Sequence, residues 1–219
     1  MNDNIMSTIG LLGRDFYKTL SRFIKCPHAS LNHENGILMD LILGWNNLNW
    51  SALDEFLWSC IYHSLLNTKY PILECGSGLT TIVAGIIAGQ TGNIVWSLEN
   101  SEEWGARVQK VLTYFRIDSV HLCVKPLRNY GYYHWYDPPL VSMPPKFGLV
   151  ICDGPYGGTI GGRSGLVPVM RNKLYEGTLI LLDDADRPGE QIISEEWRTM
   201  LSANVEITGI RKPYFKIKL

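Results

Sequence analysis

From residue 70 onward, short apolar runs alternate with longer segments whose apolar residues recur at helical spacing. Residues 70–74, 93–99, 120–124, 147–152 and 178–182 are strand-length and largely apolar, whereas 80–89, 102–114 and 189–202 read as helices. Residues 205–210 and 214–219 read as a terminal hairpin. Strands without polar alternation, interleaved with helices, predict a doubly wound parallel sheet covered on both faces. The first 68 residues follow another pattern. Apolar positions are spaced along 5–24, and a second apolar stripe starts at 38–43. Ser51 and Asp54 stand in the capping-box spacing ahead of Phe56, Leu57, Ile61 and Leu65. The expectation is one domain: a helical cap over residues 1–68 and an α/β core over 69–219.

Composition narrows this picture. A chain of 219 residues suits one well-buried core. A formal net charge of −1 provides no basic footprint for nucleic acid. The one basic cluster, residues 211–218, alternates and reads as the solvated face of a strand. Five scattered cysteines fit reduced thiols in a cytosolic protein. Cys26, His28 and His33 lack the second cysteine pair of a structural zinc site. With no N-terminal signal pattern and no apolar run near the roughly 20 residues of a membrane span, the expected location is cytoplasmic.

The chemistry begins at 72–81, Ile-Leu-Glu-Cys-Gly-Ser-Gly-Leu-Thr-Thr. An apolar strand runs through Glu74 into a turn with Gly76, Ser77 and Gly78, and a helix follows, which is the opening of a nucleotide-binding α/β unit. A dinucleotide fingerprint places a third glycine where this chain has Thr81. A carboxylate just before the turn is an awkward neighbour for a pyrophosphate. It suits a ligand carrying a cationic amine and a sulfonium, S-adenosylmethionine. About 20 residues further on, Glu99 ends the second strand, where an acidic side chain accepts hydrogen bonds from ribose hydroxyls. Each position also has a structural reading: Glu74 bonded to a turn amide, the glycines as a plain tight turn, Glu99 as a solvent-facing residue before a helix.

These motifs, in order and spacing over roughly residues 70–200, resemble the class I S-adenosylmethionine-dependent methyltransferases, in particular the O-methyltransferase-like branch. Tyr-His-Trp-Tyr-Asp-Pro-Pro at 133–139, Cys-Asp-Gly-Pro-Tyr-Gly-Gly at 152–158, Gly-Gly-Arg-Ser-Gly at 161–165 and Leu-Asp-Asp-Ala-Asp-Arg-Pro-Gly at 182–189 are similar to a poorly characterised bacterial group within it. The resemblance implies a Rossmann-like, mostly parallel, seven-stranded sheet with an antiparallel last strand. It also implies methyl transfer from S-adenosylmethionine to a small-molecule acceptor. The metal-dependent members place Asp at the end of the fourth strand and Asp-Asn at the end of the fifth, holding a divalent cation. Asp153 and Asp183 match that pattern. Asp184 departs from it, a carboxylate in place of a neutral amide.

The expected site is therefore a cofactor set of Glu74, Gly76, Ser77, Gly78, Glu99 and Asp153, with Asp153, Asp183 and His134 as the catalytic set. Three carboxylates, Asp153, Asp183 and Asp184, repel one another unless a cation such as Mg²⁺ joins them. Equally, Asp184 can cap a helix and Asp153 can meet the donor's amine. The aromatic run offers Trp135 for a wall over adenine or acceptor and His134 as a general base, or rings that pack over a sheet edge. Tyr156 stands just before, and Arg163 within, a stretch with five glycines between 157 and 165, read as a flexible acceptor-side loop in which Arg163 either grips a carboxylate or phosphate or is a surface arginine. An aminopropyl-transferring relative, a nicotinamide oxidoreductase and a non-catalytic binding protein on the same fold are the competing functions, and the oligomeric state stays open.

Overall fold

The computed structural model describes residues 15–46 and 54–219. Helices α1 (Phe16–Lys25), α2 (Ile37–Trp45) and α3 (Asp54–Leu66) lead into strand β1 (Ile72–Cys75). There follow α4 (Leu79–Thr91), β2 (Val95–Glu99), α5 (Glu102–Phe115) and β3 (Val120–Val124). A small hairpin, β4 (Arg128–Asn129) and β5 (His134–Trp135), precedes β6 (Leu149–Cys152), α6 (Leu166–Met170) and β7 (Leu179–Leu182). The chain closes with α7 (Pro188–Leu201), β8 (Asn204–Thr208) and β9 (Tyr214–Lys218).

The main sheet has seven strands in the order β3-β2-β1-β6-β7-β9-β8. β1, β2, β3, β6 and β7 run parallel, and β9 is antiparallel to both β7 and β8. The mostly parallel sheet with an antiparallel last strand is thus as expected. The chain winds outward from β1 to β3, then crosses back to β6. That reversal opens a crevice at the carboxyl ends of β1 and β6, where α/β sheets of this kind bind ligands.

Successive strand residues face opposite sides, and here the two sides carry different layers. Ile72, Val95, Leu149, Ile151 and Leu181 share one core with α1–α5. Leu73, Trp96, Val150, Cys152, Ile180 and Leu182 share the other with α6, α7 and the segment around Trp135. The helices expected as a cap are part of the first layer: Phe16, Leu20, Trp45, Phe56 and Leu57 are buried in the same cluster as the strand residues. α4 is buried on every side from Leu79 to Ala88, which explains why its sequence lacks a polar face. Gly85 lets it approach β3, since a Cβ there would run into Val120.

Several strands start later than the apolar pattern suggests. Before β1, the Asn67 side chain donates to the Tyr70 carbonyl at 2.7 Å, and Asn93 donates to Asn67 and Tyr70 carbonyls at 2.9 and 2.8 Å. Residues 67–70 and 93 therefore spend their polar groups on a clamp instead of the ladder. The β4–β5 hairpin and α6 were not legible from periodicity, being too short to show one. Residues 5–14 of the first expected helix, and the Ser51 cap, lie outside the described residues. All five cysteines are free thiols. Among the described residues no helix is long and apolar enough to cross a membrane.

Leu181 is fully buried in the middle of β7, between β6 and β9. Leu181→Ala is expected to cost about 2–5 kcal/mol of stability through lost burial and the cavity left behind, read from the midpoint of denaturant unfolding.

Candidate functional site

The turn after β1 is built by backbone contact. Gly76 has φ +93°, and a Cβ on it would sit 2.9 Å from the amide nitrogen of Gly154 in the turn after β6. A Cβ on Gly154 would in turn meet the Tyr136 hydroxyl and lie 2.9 Å from Gly76 Cα. The amides of Asp153 and Gly154 both donate to the Cys75 carbonyl, at 3.0 and 2.7 Å. Gly78 differs: the space its Cβ would fill is open. That open face is what a ligand needs to lie directly on the backbone.

Glu99 fixes this turn. Its Oε2 accepts the Ser77 amide at 3.0 Å and the Ser77 hydroxyl at 2.7 Å. Its Oε1 accepts the amides of Asn100 and Ser101, each at 2.7 Å. The Trp104 indole donates to the Ser77 carbonyl at 2.5 Å. A carboxylate offers about four lone-pair sites, and all are engaged. The glycine turn and Glu99 are thus brought together, with Glu99 already bonded to its neighbours.

Glu74 is placed differently from the sequence expectation. It is fully buried. The Ser97 and Thr81 hydroxyls donate to its Oε2 at 2.5 and 2.6 Å, and Thr81 Oγ1 accepts the Gly78 amide at 2.8 Å. Glu74 therefore supports Gly78 through Thr81, while its Oε1 has no hydrogen-bond partner among the described residues. Thr81, where a dinucleotide fold carries glycine, has this supporting task. Burial pushes the Glu74 carboxyl up to about 7, against the pull of the Ser97 and Thr81 hydroxyls.

At the ends of β6 and β7 the three aspartates converge, with one oxygen from each of Asp153, Asp183 and Asp184 within 4.8 Å of the others. The surprise is Arg163. It is 2 % exposed, not a residue of an open loop. Its Nη1 donates to the Asp183 carbonyl at 2.7 Å, and its Nη2 to the Asp153 carbonyl at 2.5 Å and Asp184 Oδ2 at 2.7 Å. Nη2 also stands 3.3 Å from Asp153 Oδ1, and Nη1 3.7 Å from Glu190 Oε1. Lys212, from the turn before β9, reaches Asp183 Oδ2 at 2.8 Å and Asp184 Oδ1 at 3.4 Å. Arg187 adds a contact to Asp184 at 2.9 Å. Asp183 Oδ1 and Arg163 Nε have no hydrogen-bond partner among the described residues.

These contacts sort the charges. Burial, with Asp153 close by, pushes Asp183 up to about 7 in spite of Lys212. Burial would raise Asp184 as well, but Arg163, Lys212 and Arg187 hold it below the usual carboxylate value. Burial would lower Lys212, and Asp183 and Asp184 more than reverse this. Asp153 is the cluster's most open member, its side chain 25 % exposed.

The glycines at 157–165 serve close packing. A Cβ on Gly161 would run into Tyr133, and one on Gly165 into the Trp135 ring. Trp135 is consequently fully buried and offers no face to a substrate, contrary to the expected aromatic wall. Tyr156, by contrast, is an exposed ring at the edge of this segment. His134 lies half-buried on the β4–β5 hairpin, its amide donating to the Ile160 carbonyl at 2.9 Å. None of the hydrogen bonds of the described residues joins it to the aspartates. An open cavity of about 550 Å³, whose lining does not include His134, is formed by Arg128, Tyr130, Tyr133 and the prolines 138, 139 and 168 among others.

Lys212 escaped the sequence reading because it belongs to a run with a surface-strand pattern. Topology held the clue: β9 runs antiparallel to β7, so the residues before β9 lie beside those after β7. The Ala185 amide donates to the Pro213 carbonyl at 2.8 Å across that junction. Glu55 of α3 fixes the same turn by accepting the amides of Ile210, Arg211 and Lys212 at 3.0, 2.9 and 3.3 Å.

Because the folded-state value of Glu74 lies above its unfolded value, the native state binds more protons between about pH 4.5 and 7. Its contribution to stability is therefore greatest at low pH and is lost as pH rises through that window, by about 3 kcal/mol in total. Glu74→Gln should remove this component, so urea unfolding between pH 5 and 8 should show a smaller decline in the variant than in the native protein.

No family model matches the chain, and no curated protein matches it. Solved structures do. A methyltransferase from Podospora anserina bound to S-adenosylhomocysteine is similar at 17 % identity and a TM-score of 0.58, covering 78 % of this chain and 80 % of that one. A putative caffeoyl-CoA O-methyltransferase from Staphylococcus aureus is similar at 12 % identity and a TM-score of 0.59, covering 86 % of this chain and 100 % of its own. A putative O-methyltransferase from Klebsiella pneumoniae is similar at 17 % identity and a TM-score of 0.54, over 92 % and 89 %. The chain has the fold of the class I S-adenosylmethionine-dependent methyltransferases.

Proposed function

We propose that this protein transfers a methyl group from S-adenosylmethionine to an oxygen of a small-molecule acceptor in the cytoplasm. The observation that carries this reading is the open Gly78 face beside the Glu99 carboxylate at the carboxyl ends of β1 and β2. Similarity to methyltransferase structures, one of them bound to S-adenosylhomocysteine, supports it. When bound, S-adenosylmethionine supplies an electrophilic methyl on a sulfonium.

The chain's own residues provide positioning. Gly76, Ser77 and Gly78 offer backbone for close approach. Glu99 takes the ribose by exchange: its lone pairs are filled, so the Ser77 hydroxyl gives way to a ribose hydroxyl. Asp153, the most open of the three aspartates, meets the donor's amino group, and Asp183 stands behind it. A phenolic acceptor with pKa near 10 costs about 4 kcal/mol to ionise at neutral pH, and His134 is proposed as the base that takes its proton. Tyr156 flanks the acceptor. Holding nucleophile and methyl in line supplies much of the rate.

Calorimetry on the purified protein should give binding of S-adenosylmethionine and none of NAD. Absence of both in a folded protein would replace this reading with a non-catalytic binding role. Glu99→Ala is expected to weaken donor binding by about 1–3 kcal/mol. An analogue lacking the ribose hydroxyls should bind the native protein and the variant alike, which separates ribose recognition from loosening of the turn.

A further inference from the structure

A carboxylate triad at the ends of β6 and β7 invites a divalent cation, and the residues around it do not fit one. Magnesium binds oxygen at about 2.0–2.1 Å in a near-octahedral shell and keeps several of its waters. Four of the oxygens here already face N–H donors, and Asp183 Oδ1 alone of the buried ones has no partner among the described residues. Arg163 Nη2 lies 2.7 Å from Asp184 Oδ2 and 3.3 Å from Asp153 Oδ1, and Lys212 Nζ lies 2.8 Å from Asp183 Oδ2 and 3.4 Å from Asp184 Oδ1.

Neither cation is a loose surface group. Arg163 is 2 % exposed and is tied to two main-chain carbonyls, those of Asp153 and Asp183, as well as to the carboxylates. An entering metal would have to break strand-end hydrogen bonds to expel it. Lys212 is placed by a turn whose amides are captured by Glu55. With Arg187 on Asp184, three cationic side chains face the three aspartates.

We infer that Arg163 and Lys212 are built-in counter-ions standing where a divalent metal would bind, and that they close this carboxylate site to metal. The site is organised by fixed side-chain charge. This inference stands apart from the proposed methyl transfer, because its primary readout is metal binding and not turnover.

The test is a Mn²⁺ titration of the chelator-treated full chain by calorimetry and electron paramagnetic resonance, with thermal unfolding alongside. The native protein should bind no Mn²⁺ at this cluster and show no metal-dependent shift in Tm. Arg163→Met and Lys212→Met should each gain Mn²⁺ affinity by about tenfold or more as the oxygens are freed. Should Arg163→Met fail to fold, Lys212→Met decides, since Lys212 is partly exposed and leaves the Arg163 bonds intact. Tight Mn²⁺ binding by the native protein, abolished by Asp183→Asn, would overturn the inference. So would a folded Lys212→Met protein that binds no more Mn²⁺ than the native one.

Discussion

The guanidinium of Arg163 is the constraint on which the chemistry end of the molecule depends. A buried charge persists only when paired and hydrogen-bonded, and Arg163 meets that condition by reaching the carbonyls that terminate β6 and β7 together with two carboxylates. One side chain thus ties two neighbouring strands at their ligand-facing ends and compensates the acids that follow them. The glycines around it allow the segment to lie flat against Tyr133 and Trp135, which brings the arginine inward.

A second arrangement, at the ends of β1 and β2, uses the opposite sign. Two carboxylates, Glu74 and Glu99, hold the glycine turn from beneath and from the side through hydroxyls and amides. The crevice therefore has one wall stiffened by acids bonded to neutral donors and another by acids bonded to cations. The turns of the two walls touch at Gly76 and Gly154 with no side chain between them. Displacement of one turn would be felt directly by the other.

Much of the fold was readable because the buried strands are short apolar runs and the helices α5 and α7 show their period. The glycine turn and Glu99 were readable for a similar reason, as local signals at fixed positions after a strand. What could not be read were pairings set by topology. Lys212 looks like one of several surface-strand basics until β9 returns alongside β7. Arg163 sits among five glycines, a composition that suggests mobility, and only the packing of Trp135 and Tyr133 reveals those glycines as points of close approach. Trp135 and Glu74 illustrate the same limit: residue type marked them for a ligand, whereas their neighbours bury them.

The contact between Glu55 and the 210–212 turn has a consequence for modularity. Residues before β1 look like an accessory layer that could be exchanged or trimmed without touching the crevice. Yet a carboxylate on α3 holds the turn that carries Lys212, and Lys212 neutralises Asp183. The helical layer and the charge balance of the site are one inheritance. A graft of the α/β core onto other helices would preserve the sheet and still deliver an aspartate cluster missing part of its counter-charge.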